Sequence, residues 1–259
     1  AFIAGFSADT DSWDYAVLNS LTQFLSEGET VSLSFEVTVT DSFGATDTET
    51  VNITINGDND TPVITVNEGE DSGSVKEAGV IDDFDQNPAN NNTPAVAVLA
   101  ANGTLVGSDA DDNAIITWSG NASGVYGEFT VDNNGNWTYT LNDNALVDAL
   151  ASGESHLEVF TVTLTDQFGA FTTQDVTITV NGTNDIPVLT INDTEGAVTE
   201  DDDTPTLSDS GALSFTDVDN GDNHTISFAH VGNVVWSGGA LTQGQIDAFI
   251  AGFSADTDS

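Results

Sequence analysis

The chain has 259 residues, of which 38% are hydrophobic and 8% aromatic, enough to build packed cores and to argue against a disordered chain. It carries 43 acidic residues against one basic side chain, Lys76, for a formal charge of −42; this excludes nucleic acid and anionic membrane surfaces as partners, because both are held by Lys and Arg. The absence of cysteine removes disulfide and thiol chemistry, and abundant hard oxygen donors beside only three histidines favour calcium over zinc or copper.

In chain order, the first twelve residues, Ala1–Ser12, return as Ala248–Ser259, so the sequence repeats at a spacing of 247 residues. The segment VSLSFEVTV, Val31–Val39, alternates strictly, with Val31, Leu33, Phe35, Val37 and Val39 on one face, as a half-buried strand does. ETVNITI (49–55) reads the same way, and NGDNDTP (56–62) then breaks the pattern. WTYTL (137–141), EVFTVTL (158–164) and DVTITV (175–180) are further strands, followed by NGTNDIP (181–187). Asn144 is placed to cap a short helical turn that uses Leu146, Ala149 and Leu150 and stops at Gly153. Thr242 and Gln245 form a capping-box pattern, after which Ile246, Phe249, Ile250 and Phe253 fall on one helical face.

Two long stretches align: Trp13–Asp60 with Trp137–Asp185, through Trp13/Trp137, Tyr15/Tyr139, Gly28/Gly153, Phe35/Phe160, Asp41/Asp166, Gly44/Gly169 and Asp60/Asp185. TPVITV (61–66) also matches IPVLTI (186–191), and GTLVGSDAD (103–111) matches GALSFTDVD (211–219). The expected domain order is therefore the C-terminal half of a β-sandwich repeat (1–59), a complete repeat (60–184) and the N-terminal half of a repeat (185–259). Roughly seven short strands for each repeat, without long helices, make the fold class all-β.

Acidic and amide side chains gather in the turns. Asn59, Asp60, Asn184 and Asp185 lie in the two linkers between repeats, where side-chain and backbone oxygens suit a six- to eight-coordinate calcium ion. Partners are expected from Asp41 and Asp166 in the TDxFG turns of the repeat before each linker. Further partners are Glu77 and Glu200, early in the repeat after it, and the DxD pairs Asp109/Asp111 and Asp217/Asp219, with Asp222 close by. The competing explanation is that Asp and Asn favour turns in any protein and that the charge serves solubility. Recurrence of linkers and pairs in register weighs against it.

The combination of DAD (109–111), GNWTYTL (135–141), LASGE (150–154), TLTDQFG (163–169) and NGTND (181–185) resembles the VCBS/cadherin-like, immunoglobulin-like extender repeats of giant bacterial RTX adhesins. The resemblance covers the middle repeat fully and the flanking halves in two pieces. It implies an elongated tandem array of β-sandwiches with calcium at the linkers, secreted by a type I system to the bacterial cell surface, holding a binding tip away from the cell in biofilm formation. Adjacent identical repeats are then the partners, head to tail, with half-domain complementation between chains a further expectation. No GxSxG, HExxH or P-loop pattern occurs, so an enzyme is not expected. The alternative is a ligand-binding adhesion module for a glycan or protein, motivated by Trp118 and Trp236 as candidate exposed aromatics.

Overall fold

A computed structural model describes residues 2–80, 94–204 and 206–255. The chain divides into two compact units, one running to Asp219 and the other starting at Asn220.

The first unit opens with a 3-10 turn, Phe2–Gly5, and a short antiparallel pair, β1 (Phe6–Ala8) and β2 (Trp13–Tyr15). A long hairpin follows, β3 (Thr30–Thr40) and β4 (Thr46–Asn56), paired without a break from Thr30↔Asn56 to Thr40↔Thr46. Val31, Leu33, Phe35 and Val37 lie half-buried on one face as the alternation requires, but Val39 is 68% exposed because the hairpin runs past anything that could cover its tip.

Among the described residues nine strands then build the sandwich, two more than the sequence suggested because the two shortest edge strands carry no alternating signal. They are β5 (Val63–Val66), β6 (Ser72–Lys76), β7 (Ala100–Ser108), β8 (Thr117–Ser119), β9 (Ala122–Ser123), β10 (Gly127–Val131), β11 (Asn136–Leu141), β12 (Ser155–Thr165) and β13 (Phe171–Asn181). One sheet has the order β5-β7-β11-β10-β9 and the other β6-β13-β12-β8. Within the second sheet β6 runs parallel to β13, from Thr177↔Ser72 to Asn181↔Lys76. Inward side chains of both sheets, among them Leu105, Phe129, Trp137, Tyr139, Phe160, Leu164 and Ile178, form one continuous core.

Trp137 is the centre of that core. It is fully buried, and its indole N–H donates to the Glu70 carbonyl at 2.7 Å, which satisfies the one polar atom of the ring. Two glycines make room for it. A Cβ on Gly103 would come within 2.7 Å of the ring, and one on Gly73 would meet Ala101 at 2.7 Å and the ring at 3.1 Å.

The expected turn after Asn144 forms, with the Asn144 side chain accepting from the N–H groups of Leu146 and Val147. It buries Val147 and Leu150 rather than Leu146, which is 59% exposed, because the segment folds as successive tight turns and not as a regular helix. A last antiparallel pair, β14 (Val188–Ile191) and β15 (Leu213–Thr216), closes the first unit. In the second unit, α1 (Gln243–Ile250) starts at the expected box: Thr242 and Gln245 each cap the other's backbone N–H. Its Phe249 stays exposed, while the rings of Phe228 and Phe253 meet edge to face at 5.0 Å.

Candidate metal centres at the two linkers

Topology decides which acids can meet. β13 ends at Asn181, beside the second linker, and β12 begins at Ser155 directly opposite. Eleven residues of strand span about 36 Å, so the turn joining β12 to β13 lies at the far end of the sandwich, beside the first linker. Because β6 runs parallel to β13, Glu77, just after β6, emerges beside Asn181 at the second linker. This corrects the pairing expected from the sequence. Asp166 lies at the linker that precedes its own repeat, and Glu77 at the linker that follows it.

At the first linker the Asn59 side-chain amide donates to Asp166 Oδ2 at 2.8 Å. Asp166 Oδ1 accepts from the N–H groups of Phe168, Gly169 and Ala170, and φ of +96° at Gly169 lets the turn close around it. Burial alone would raise the Asp166 carboxyl, but the Asn59 amide and these N–H groups outweigh it and hold it below the usual range. The Asp60 N–H donates to Asp111 Oδ2 at 3.0 Å, and the Asp111 N–H to Asp109 Oδ1 at 3.1 Å. Three oxygens here are buried without any hydrogen-bond partner: Asn59 Oδ1, Asp109 Oδ2 and Asp111 Oδ1, the last on a residue only 5% exposed.

The second linker repeats part of this frame. The Asp185 N–H donates to Asp219 Oδ2 at 2.7 Å, and the Asp219 N–H to Asp217 Oδ1 at 3.2 Å. Glu77 is 2% exposed; its Oε1 accepts from the Thr183 N–H at 2.8 Å, whereas Glu77 Oε2 and Thr183 Oγ1 are buried without a partner. The Val80 N–H donates to the Asn184 carbonyl at 2.8 Å, so the strand exit carrying Glu77 is laced to the linker. Burial raises the Glu77 carboxyl to about 7; the Thr183 N–H opposes this, and the charges of Asp185, Asp219 and Asp148 add to it. Asp185 is also raised, first by burial and then by the charges of Asp148 and Asp217.

Asn59, Asp60, Asp109, Asp111 and Asp166 are thus brought together at one linker, and Glu77, Asn184, Asp185, Asp217 and Asp219 at the other. Asp41 and Glu200 are exposed. Asp41 makes the same turn as Asp166, accepting from Phe43 and Ala45 N–H, but at the tip of β3–β4. Asp222 is exposed and belongs to the second unit. Sequence reasoning missed Asp148 and Gln23, which align with each other; Gln23 donates to both Asp60 oxygens at 2.8 Å. It also placed Trp118 at the surface, whereas Trp118 is 6% exposed and its indole packs beside Gly107 and Gly135. The alignment of 13–60 with 137–185 held the signal for Asp148, since it falls on the helical-turn segment next to the linker.

Among the described residues, no three Asp, Glu, His or Cys side chains are gathered tightly enough to hold an ion as they stand. The donor set nevertheless suits a hard divalent cation. It is made of carboxylates and an amide, with orphaned oxygens buried at both linkers, and a buried acceptor without a donor is costly unless something positive meets it.

Residues 59–182 match the family model described as the bacterial cadherin-like domain, and this is the stretch that forms the two-sheet sandwich. Among solved structures the chain is similar to the Protocadherin GammaB4 extracellular domain, at 17% identity and a TM-score of 0.40, covering 83% of this chain and 31% of that one. It is also similar to mouse Cadherin-23 EC22-24, at 13% identity and a TM-score of 0.38, covering 81% of this chain and 58% of that one. The chain thus spans about a third of the length of the first of these and under two thirds of the second. No protein of curated function matches the sequence. No helix among the described residues is long and apolar enough to cross a membrane.

Proposed function

We propose that the chain is a calcium-stabilised extender segment of a repetitive bacterial surface adhesin, a stalk that carries a binding tip away from the cell. Residues 60–184 are one complete module of the array, and residues 1–59 and 185–259 are parts of its neighbours. The observation that carries this reading is the set of buried, partnerless oxygens at the linkers: Asn59, Asp109 and Asp111 at one, Glu77 and Thr183 at the other. Acidity serving solubility alone would leave its carboxylates in water. Here they are withdrawn from it at the places where modules join.

In this reading Asn59, Asp60, Asp109, Asp111 and Asp166 hold an ion at the first linker. Glu77, Asn184, Asp185, Asp217 and Asp219 hold one at the second. Calcium supplies the positive charge that a chain of −42 lacks, and binding only the folded form adds stability according to its concentration. Extracellular modules commonly bind calcium at ~10⁻⁴–10⁻³ M, so the chain would loosen where calcium is scarce, as in the cytosol, and stiffen outside the cell. The cadherin-like module, the absence of an enzyme motif and the serial linkers all suit a structural adhesion role, with export by a type I system. The test is thermal unfolding and small-angle scattering in millimolar calcium and in chelator. A higher melting temperature and a longer, narrower particle in calcium support the stalk; identical curves in both overturn it.

A further inference from the structure

The two linkers are not equivalent, and the difference lies in one aligned position. Gln23 and Asp148 each stand five residues before the matched glycines Gly28 and Gly153. Gln23 is half-buried and its amide nitrogen lies 2.8 Å from each oxygen of Asp60, so both oxygens of the linker carboxylate are already met by a neutral donor. The same side of this linker is tied further: the Asp112 N–H donates to the Phe24 carbonyl at 2.9 Å, and the Ser26 hydroxyl to the Asp112 carbonyl at 3.2 Å. At the other linker the matching residue is a carboxylate. Asp148 is half-buried in the turn whose Leu150 carbonyl oxygen a Cβ on Gly182 would strike, so its charge sits beside the linker and presses on both Asp185 and Glu77. An amide at this place holds the linker carboxylate; a carboxylate repels it.

We propose that Asp148 and Gln23 set unequal cation dependence: the second linker is ordered by calcium, whereas the first is held in large part by the Gln23 amide without it. This rests on the calcium reading above and deepens it. An array built this way alternates joints that stay stiff with joints that respond to calcium. Asp58, which aligns with Thr183, does not level the difference, because it is exposed and its Oδ1 accepts from the Asn59 N–H at 3.2 Å. Replacing a charged donor by a neutral one weakens a calcium site, and roughly tenfold is the expected scale.

The experiment is amide hydrogen exchange across a calcium titration of the 259-residue chain, read separately at residues 57–61 and 182–186. In chelator the first linker should be clearly better protected than the second, whose Thr183 and Asp185 N–H groups are held only by carboxylates that repel one another. Calcium should then protect the second linker, with Asp148→Gln raising its midpoint roughly tenfold. Gln23→Asp should abolish protection of the first linker in chelator and restore it with calcium; Gln23→Glu, which keeps the chain length, is the companion variant. Equal protection of both linkers in chelator overturns the inference, as does a Gln23→Asp chain whose first linker is still protected without calcium. Exchange that ignores calcium at both linkers overturns the calcium reading and this inference together, and so is told apart from the first two outcomes.

Discussion

The hairpin β3–β4 and the hairpin β12–β13 are the same object in two settings. Each has eleven paired positions, numbered 125 residues apart, and each turns through an Asp whose carboxylate caps the loop and a glycine at positive φ. In β12–β13 the inward face is sealed: Phe160, Val162, Leu164, Val176, Ile178 and Val180 are all buried. In β3–β4 the matching Phe35, Val37, Val51, Ile53 and Ile55 are only half-buried, and Val39 is exposed. Alternation and turn chemistry therefore make the hairpin, register included. Burial is supplied by other strands, β6 and β8 in the same sheet and the five-stranded sheet opposite; around β3–β4, among the described residues, only the short β1–β2 pair stands on that face, with Phe6 and Tyr15 against Phe35.

The largest test of this contrast is a matched pair of truncations. Phe160→Ala removes a ring stacked on Phe129 at 4.7 Å in a closed core and should cost about 3–5 kcal/mol in urea unfolding. Phe35→Ala removes a ring stacked on Phe6 at 4.2 Å on an open face and should cost less than half as much. Equal costs would break the comparison. If residues 185–216 of a second copy cover the β3–β4 face, the cost of Phe35→Ala should grow with protein concentration while that of Phe160→Ala stays fixed.

The next test concerns a polar pair inside the core. Glu158 lies on the inward face of β12, where it accepts from the Tyr139 hydroxyl at 2.5 Å, from the Tyr126 N–H at 3.1 Å and from the Val125 N–H. The aligned residues in the first repeat are Tyr15 and Leu33, and the buried Tyr15 hydroxyl has no partner. Tyr139→Phe strips a donor from a buried carboxylate and should cost about 1–3 kcal/mol, whereas Tyr15→Phe should be neutral or slightly stabilising. A measurable loss in Tyr15→Phe would show that a partner reaches that hydroxyl in solution.

These contrasts also explain how much was legible in the sequence. The strands, the linkers and the α1 capping box were readable because each is a local pattern. The Asp109/Asp111 and Asp217/Asp219 pairs were readable as pairs. Their partners were not, since the ends at which Asp166 and Glu77 emerge depend on the hairpin's direction and on the parallel pairing of β6 with β13. Trp118 was taken for a surface aromatic because its three-residue strand carries no alternating signal, and nothing local marks Glu158 as inward until the opposing strands are known.

At the linker end of the sandwich, Glu77 offers a test in pH. Its folded value near 7 lies above the ordinary 4.5, so the folded form binds this proton more tightly than the unfolded chain does. In chelator, its contribution is greatest below about 4.5 and is lost as pH rises through about 7. Glu77→Gln keeps an acceptor for the Thr183 N–H and should remove that part of the pH dependence. A variant with the wild-type slope between those values would show that another group sets it.

The smallest expected effect separates the two aspartates that cap the aligned turns. Asp41 and Asp166 use Oδ1 in the same way, and Asn keeps that oxygen, so the turn itself should survive Asp→Asn at both places. Only Asp166 also uses Oδ2, which takes the Asn59 amide at 2.8 Å and fastens the first linker to the tip of β12–β13. Asp166→Asn sets an amide against an amide there and should cost about 1 kcal/mol and raise exchange at residues 57–61. Asp41→Asn, on an exposed tip that touches no linker, should change stability by less than about 0.5 kcal/mol. The two substitutions differ only in what lies across from the turn, so a similar cost at both sites would mean that the Asn59–Asp166 contact adds nothing to the linker.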